Sequence, residues 1–117
     1  GFANKLGGQV NLVLLGIAHL AQGGSFTLTT GILAQHSVPG SVIAGTVNGG
    51  LEAFLRTAAL DLPHGIRINA VSPTIISRPN GHSDLFRGFH AVTAEEAAPA
   101  YVRSVYGVET GQVFRVW

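Results

Sequence analysis

Three short runs rich in β-branched and aromatic residues alternate along the chain with longer segments of helical periodicity. The runs lie at 25–30, 66–71 and 112–117, and each has the length and composition of a β-strand. Strands that are separated by helices usually pair in parallel through right-handed crossovers. The pattern therefore predicts an α/β fold in which helices cover a small parallel sheet.

The segments between these runs carry the signals of three helices. Residues 3–21 are apolar around most of the helical circumference, and the apolar residues of 41–60 recur at helical spacing with one broad buried face. Thr93 and Glu96 have the spacing of a capping box, which predicts a helix that runs to about Tyr106.

The composition excludes several classes of protein. Hydrophobic residues make up 46% of the 117 residues and charged residues 11%, whereas disordered chains combine low hydrophobicity with high charge. A formal net charge of +1 provides no basic footprint for nucleic acid. The chain has no cysteine, which excludes disulfides and thiolate metal sites and is compatible with a reducing compartment. We expect a cytoplasmic protein.

Two further features bear on what the chain contacts. The apolar run 10–20 is too short to cross a bilayer, which takes ~20 residues, so we expect no membrane association. The run 25–30 has no charged residue, and it leaves the predicted sheet with an unprotected edge. Because such edges promote aggregation, we expect something to pair with it.

The five histidines do not form a metal-binding pattern. No two of them have the spacing of paired ligands on a helix, and no cysteine completes a set. His82 and Asp84 are two residues apart in the long loop predicted over 74–92, where they could hold a metal ion only weakly. We therefore expect no metal site.

Four motifs, in order and in register, resemble the C-terminal half of a short-chain dehydrogenase/reductase. They are Asn4-Lys5-Leu6-Gly7, the run from Gly23 to Thr30, the run from Gly65 to Pro73, and Thr110-Gly111-Gln112. The run 24–31 is most similar to a short, divergent bacterial branch of the family. The resemblance covers the whole chain and implies a single partial domain over 1–117. That domain would be the C-terminal half of a doubly wound, Rossmann-like sheet, with three parallel strands in chain order and helices on both faces.

The resemblance also implies where a cofactor would bind. Family members hold NAD or NADP mainly through their first half, where a glycine-rich turn places the pyrophosphate at a helix N-terminus. No G-x-G-x-x-G run occurs in this chain, so we expect poor cofactor binding, if any, by these residues alone. Pro73, Thr74, Ile75 and Ile76 match the loop beside the nicotinamide carboxamide. Since Thr74 stands where the family usually has Gly, ordinary loop packing is an equal alternative there.

The family's catalytic residues can be carried over position by position. Active members use an Asn, a Ser, and a Tyr and Lys four residues apart; the Tyr moves a proton at the substrate oxygen, and the Lys lowers the pKa of that Tyr. The Asn position matches Asn4, but the Ser, Tyr and Lys positions are occupied by Gly31, Ala44 and Asn48. Thr30 and Gly31 are the expected lining of the substrate pocket. The resemblance therefore implies a chain that is inactive by the usual mechanism.

The resemblance further implies self-association. In the family, the helices that correspond to 3–21 and 41–60 pack against the same pair from a second subunit. The apolar run 10–20 and the small side chains around Ala44 fit this arrangement, so we expect a homo-oligomer. The alternative is that both helices only cover the sheet.

Three functional interpretations remain open. The first, which we favour, is a piece of a longer dehydrogenase/reductase-like protein whose N-terminal half is missing from the sequence; the absence of methionine agrees with it. The second is a complete, non-catalytic half-fold that associates with itself. The third is a small-ligand binder without chemistry, with its pocket near Asn4, Thr30, Ala44 and Asn48. The substrate and the choice between NAD and NADP stay open.

Overall fold

The computed structural model describes residues 2–76 and 86–117, except for the side chains of residues 2 and 3. Strands and helices alternate along these residues. In chain order they are a π-helical turn (Phe2–Leu6), α1 (Gly7–Gly16), a 3-10 turn (Ile17–His19), β1 (Ser25–Thr29), a second 3-10 turn (Ile32–Ala34), α2 (Val42–Ala58), β2 (Arg67–Pro73), α3 (Ala94–Tyr106) and β3 (Val113–Val116).

The three strands form one parallel sheet in the order β1-β2-β3. Leu28 of β1 pairs with Ala70 of β2, and Val71 of β2 pairs with Phe114 of β3. The predicted fold class is confirmed: the strands are parallel, they follow chain order, and helices lie on both sides of the sheet.

The core lies between the sheet and the pair α1 and α2. Its members are aliphatic side chains that recur at helical spacing on α2 and at alternate positions on the strands, as expected for faces buried against each other. They are Val13, Leu28, Val47, Leu51, Leu55, Ile68 and Ala70. Burial of each large aliphatic side chain contributes about 1.5–3 kcal/mol to stability.

The opposite face of the sheet is more polar and packs against α3. Thr27 Oγ1 and Ser104 Oγ are 2.6 Å apart, and Thr29 Oγ1 and Tyr101 OH are 2.9 Å apart. The predicted capping box at the start of α3 is confirmed, because the Glu96 amide donates to the side chain of its N-cap and the Glu96 carboxylate accepts from the N-cap amide.

Strand β1 is at the edge of the sheet, as predicted. One residue of this edge is bonded by a side chain of the same chain: Gln9 Oε1 accepts from the amide of Thr29 at 3.1 Å, and Gln9 Nε2 donates to its carbonyl at 3.3 Å. The Gln9 amide therefore supplies to Thr29 the pair of hydrogen bonds that a neighbouring strand would give.

The prediction of one continuous helix over 3–21 is wrong. A π-helical turn precedes α1, which ends at Gly16 and gives way to a 3-10 turn and then to extended backbone at Leu20. The Phe26 ring packs against Gly16, where an added Cβ would lie 3.0 Å from the ring. Glycine propagates a helix poorly, and here its missing side chain makes room for the ring.

Other predicted bounds differ by one or two residues. Strand β1 ends at Thr29 rather than 30, and α2 covers Val42–Ala58 rather than 41–60. Strand β2 covers Arg67–Pro73 rather than 66–71, because Ser72 and Pro73 pair with β3. That pairing joins residues far apart in sequence, so local composition does not reveal it.

Within residues 2–76 and 86–117, no helix has both the length and the apolar character needed to cross a membrane.

Candidate functional site

The positions singled out by the sequence meet where β1 and β2 end. A Cβ placed on Gly31 would lie 3.1 Å from Asn48 Nδ2 and 3.9 Å from the Pro73 carbonyl oxygen. The structure therefore brings together the end of β1, the end of β2 and the buried Asn48 of α2. In open α/β sheets, ligands bind in the crevice outside the carboxyl ends of the strands, which is where these residues lie.

A lysine that the sequence analysis did not single out reaches this site. Lys5 Nζ donates a 2.7 Å hydrogen bond to Asn48 Oδ1. Although Lys5 keeps much of its surface exposed, burial around its amine lowers the pKa of Lys5. Lys5 is the only lysine in the sequence, and no Asp or Glu occurs before Glu52. An isolated cation in an apolar stretch was the available signal.

The π-helical turn Phe2–Leu6 presents this lysine to the site. π-turns have a wider hydrogen-bonding pattern than α-helices and are frequent at functional sites. Lys5 contacts Asn48, whereas Asn4, the predicted catalytic residue, is an exposed neighbour on the same turn. At Asn48 the turn places an ammonium group rather than the amide of Asn4.

Three buried hydroxyl groups at the strand ends have no hydrogen-bond partner in the described part of the chain. They are Thr30 Oγ1, Ser72 Oγ and Thr74 Oγ1. Alternation along the strands puts all three on the face of Leu28 and Ala70, which packs against α1 and α2. Buried polar groups are normally paired, so this unpaired set is unusual. Thr30 was predicted to line a pocket, whereas Ser72 was missed.

The position that corresponds to the family's tyrosine provides no proton donor. Ala44 lies half-buried one turn before Asn48 on α2. Neither tyrosine of the chain compensates, because the hydroxyl of Tyr101 contacts Thr29 on the opposite face of the sheet and Tyr106 is exposed. The site therefore contains a cation and hydroxyl groups, but no phenol.

The loop after β2 is held by backbone hydrogen bonds. The amide of Thr74 donates to the Val116 carbonyl at 2.8 Å, and the amide of Val92 donates to the Ile75 carbonyl at 2.9 Å. Ile76 forms a parallel bridge with Val92. These bonds fix the backbone of Pro73, Thr74, Ile75 and Ile76, the predicted nicotinamide loop, at the carboxyl end of the sheet.

A buried carboxylate lies one turn beyond Asn48 on α2. Glu52 is 1% exposed, and its Oε1 accepts a 2.7 Å hydrogen bond from Gln35 Nε2. Arg56 is 3.8 Å away, too far for a strong ion pair. The burial of Glu52 was not predicted, because helical spacing alone does not distinguish a buried glutamate from a surface one.

No group of three potential metal ligands occurs within residues 2–76 and 86–117. His82 and Asp84, the pair considered from the sequence, lie outside the described residues.

Comparisons with known proteins find one matching family model and several matching solved structures. Residues 2–111 match a family model described as enoyl-(acyl carrier protein) reductase, one of the short-chain dehydrogenase models. No curated protein matches the chain.

Solved structures match the chain along nearly its whole length. The protein lin1944 from Listeria innocua is 44% identical, with a TM-score of 0.95, over 99% of this chain and 58% of its own. A small-chain dehydrogenase is 30% identical, with a TM-score of 0.82, over 98% of this chain and 54% of its own. Another, in complex with NADPH, is 27% identical, with a TM-score of 0.83, over 98% and 59% respectively. The chain thus spans between half and two thirds of these structures.

Proposed function

Because the chain belongs to the short-chain dehydrogenase/reductase family, we propose that it forms the C-terminal half of a longer protein that binds NAD(P) without proton transfer by the family's tyrosine and lysine. The length of the similar structures supports a longer protein, since this chain spans 58%, 54% and 59% of three of them. The NADPH complex of one similar structure supports the choice of cofactor.

The proposal rests on the residues that occupy the family's tyrosine and lysine positions on α2, which are Ala44 and Asn48. Ala44 has no proton to give or take. Asn48 is buried and neutral, and its side chain accepts a hydrogen bond from Lys5. Proton transfer to a carbonyl oxygen needs a titratable group within hydrogen-bond reach, and neither position supplies one.

When bound, the reduced cofactor would supply a hydride and the oxidised cofactor would accept one. Of the described residues, the loop Pro73, Thr74, Ile75 and Ile76 is the segment we assign to the nicotinamide end, where its fixed backbone would orient the ring. Gly31 leaves open the space beside Asn48 that a side chain would fill. The dinucleotide's main anchorage would lie in the other half of the protein.

Calorimetric titration with NADPH and NADH tests this function. We expect the natural polypeptide that contains this chain to bind one of them, and the 117-residue chain alone to bind neither measurably. Binding should occur without steady oxidation of the reduced cofactor. Absence of binding by the natural polypeptide would contradict the proposal.

We also propose that the exposed apolar side chains of α1 and α2 form a homo-oligomeric interface in the cytoplasm. Leu12, Leu14, Leu15, Val42 and Ile43 are all more than half exposed. Large apolar side chains that are exposed in such number are typical of interaction sites. The absence of cysteine supports a reducing compartment.

Sedimentation velocity tests the interface. Leu15→Glu should shift the protein to a smaller species, because a charge would be buried in an apolar contact. Val108→Glu is the matched control, since Val108 is 91% exposed beyond the end of α3. Equal sedimentation of both variants and the parent protein would contradict this interface.

A further inference from the structure

Lys5 lies at the carboxyl ends of the strands and donates a hydrogen bond to a buried side chain there. No other cation within residues 2–76 and 86–117 does so. The Lys5 amine has three donor hydrogens, and the bond to Asn48 Oδ1 uses one of them. Asn48 is 5% exposed, so this acceptor is fixed by the packing of α2. The amine is therefore positioned while two of its donors remain available.

Among the described residues, no carboxylate pairs with this cation. Within residues 2–76 and 86–117, Lys5 forms no ion pair, and its hydrogen-bond partner is a neutral amide. The pKa of Lys5 is lowered because burial disfavours the charged form. An anionic oxygen beside Lys5 would offset this desolvation, since charge-assisted hydrogen bonds are stronger than neutral ones.

The three unpartnered hydroxyls lie at the same ends of the sheet. Thr30, Ser72 and Thr74 are 3%, 0% and 6% exposed, and each has a side-chain oxygen without a hydrogen-bond partner among the described residues. A buried hydroxyl without a hydrogen bond costs stability, which a ligand oxygen would restore. A ligand rich in acceptors that reached both these groups and the ammonium of Lys5 would accept from all of them.

We propose that Lys5 and Asn48 form an oxyanion-binding pair, in which Lys5 Nζ donates to a carboxylate or phosphate oxygen of a ligand and Asn48 holds the amine in place. The unpaired hydroxyls of Thr30 and Thr74, which lie at the same ends of the strands, would add further donors. Lys5, on the π-helical turn, thus provides the positive charge that the neutral Asn48 on α2 lacks. This proposal extends the proposed function, and it rests on that function for the identification of the pocket.

Nuclear magnetic resonance of the Lys5 side chain tests the pair in the natural polypeptide. The protein is labelled with ¹³C-lysine, and the Lys5 signal is assigned by its loss in Lys5→Gln. Sodium phosphate, sodium acetate and sodium chloride are then titrated at matched ionic strength. We expect a saturable shift of the Lys5 signal with phosphate, acetate or both, a higher Lys5 pKa in the bound protein, and no saturable shift with chloride.

Two variants separate binding from general charge effects. Asn48→Leu should weaken the anion at least ~10-fold, since the amine loses its anchor and one charge-assisted contact is typically worth about that factor. Arg56→Gln removes an equally positive but exposed side chain on the same helix and should leave the affinity unchanged. If Asn48→Leu does not fold, Lys5→Gln replaces it as the test variant, because Lys5 is exposed and its substitution should be tolerated. Since this variant has no Lys5 signal, anion binding is then followed by the backbone amide signal of Thr74.

The outcomes distinguish the ligand and the two proposals. Saturation by phosphate alone indicates a phosphorylated ligand, and saturation by acetate alone indicates a carboxylate. A response equal to that of chloride, or one that Lys5→Gln leaves intact at Thr74, would overturn the oxyanion pair. NADPH binding without any saturable Lys5 response would overturn the pair alone, whereas an anion response without NADPH binding would overturn the proposed function alone.

Discussion

Lys5 and Asn48 are 43 residues apart in the sequence and are joined by a 2.7 Å hydrogen bond across the site. The lysine comes from the π-helical turn before α1 and the asparagine from the buried face of α2. The site therefore has a positive charge, although the residue at the family's lysine position is neutral.

The partial desolvation of the Lys5 amine predicts a specific pH dependence of stability. Its pKa is lowered in the folded chain, so the unfolded state binds more protons between that value and the ordinary lysine pKa. The free energy of unfolding should therefore rise with pH through this window. Lys5→Met removes the effect.

Urea unfolding at several pH values from neutral upward measures this difference. At neutral pH the parent protein carries the desolvation penalty and Lys5→Met does not, so the variant's relative stability should decline as the pH rises. A stability difference that is independent of pH would contradict a partly desolvated amine with a lowered pKa.

Gly31→Ala should destabilise the chain through contact with Asn48. The added Cβ would lie 3.1 Å from Asn48 Nδ2, and the backbone φ of −178° accepts any residue, so the cost is steric. Overpacking of this kind costs about 1 kcal/mol. In an Asn48→Ala background the same change should cost less, because the contact is gone. Additive effects in this double-mutant cycle, followed by urea unfolding, would exclude the contact.

Arg67 should be worth more to stability than other arginines. Its guanidinium donates to the carbonyls of Ser104, Val105 and Glu109 at 2.8, 2.7 and 3.2 Å, which joins the start of β2 to the end of α3. Arg67→Met should cost about 2 kcal/mol, the typical value for hydrogen bonds to a charged group. Arg56→Met is the matched control and should cost well under 1 kcal/mol. Equal urea midpoints for the two variants would refute this role.

Restoring the family's residues should not create an enzyme from this chain. Ala44→Tyr with Asn48→Lys supplies a phenol and an amine, but the chain has no glycine-rich dinucleotide turn. The new lysine would also face Lys5, and two ammonium groups repel each other. We expect no NADPH oxidation and a lower urea midpoint than for Ala44→Tyr alone, with recovery when Lys5→Met is added. Steady turnover by the double variant would disprove this expectation.

The fold was predictable because its signals are local. β-branched runs, helical spacing and the Thr93–Glu96 box each depend on neighbouring residues, and the strand order followed from the resemblance. The end of β2 was not predictable locally, since Ser72 is ordered by pairing with Arg115 more than 40 residues later.

The site was predictable only where the resemblance supplied positions. Gly31 and Asn48 do meet in the structure, but the approach of Lys5 depends on a π-helical turn that periodicity does not reveal. The buried hydroxyl of Ser72 likewise follows from packing between distant elements, because a serine within a strand gives no local sign of its surroundings.

The most direct test of the central claim is steady-state oxidation of NADPH and NADH by the purified natural polypeptide, with a panel of aldehydes and ketones. The account predicts cofactor binding with no steady oxidation above the rate of the same mixture without protein. Turnover that persists through purification and is abolished in heat-denatured protein would contradict it, since the site of Ala44 and Asn48 would then support proton transfer without the family's tyrosine and lysine.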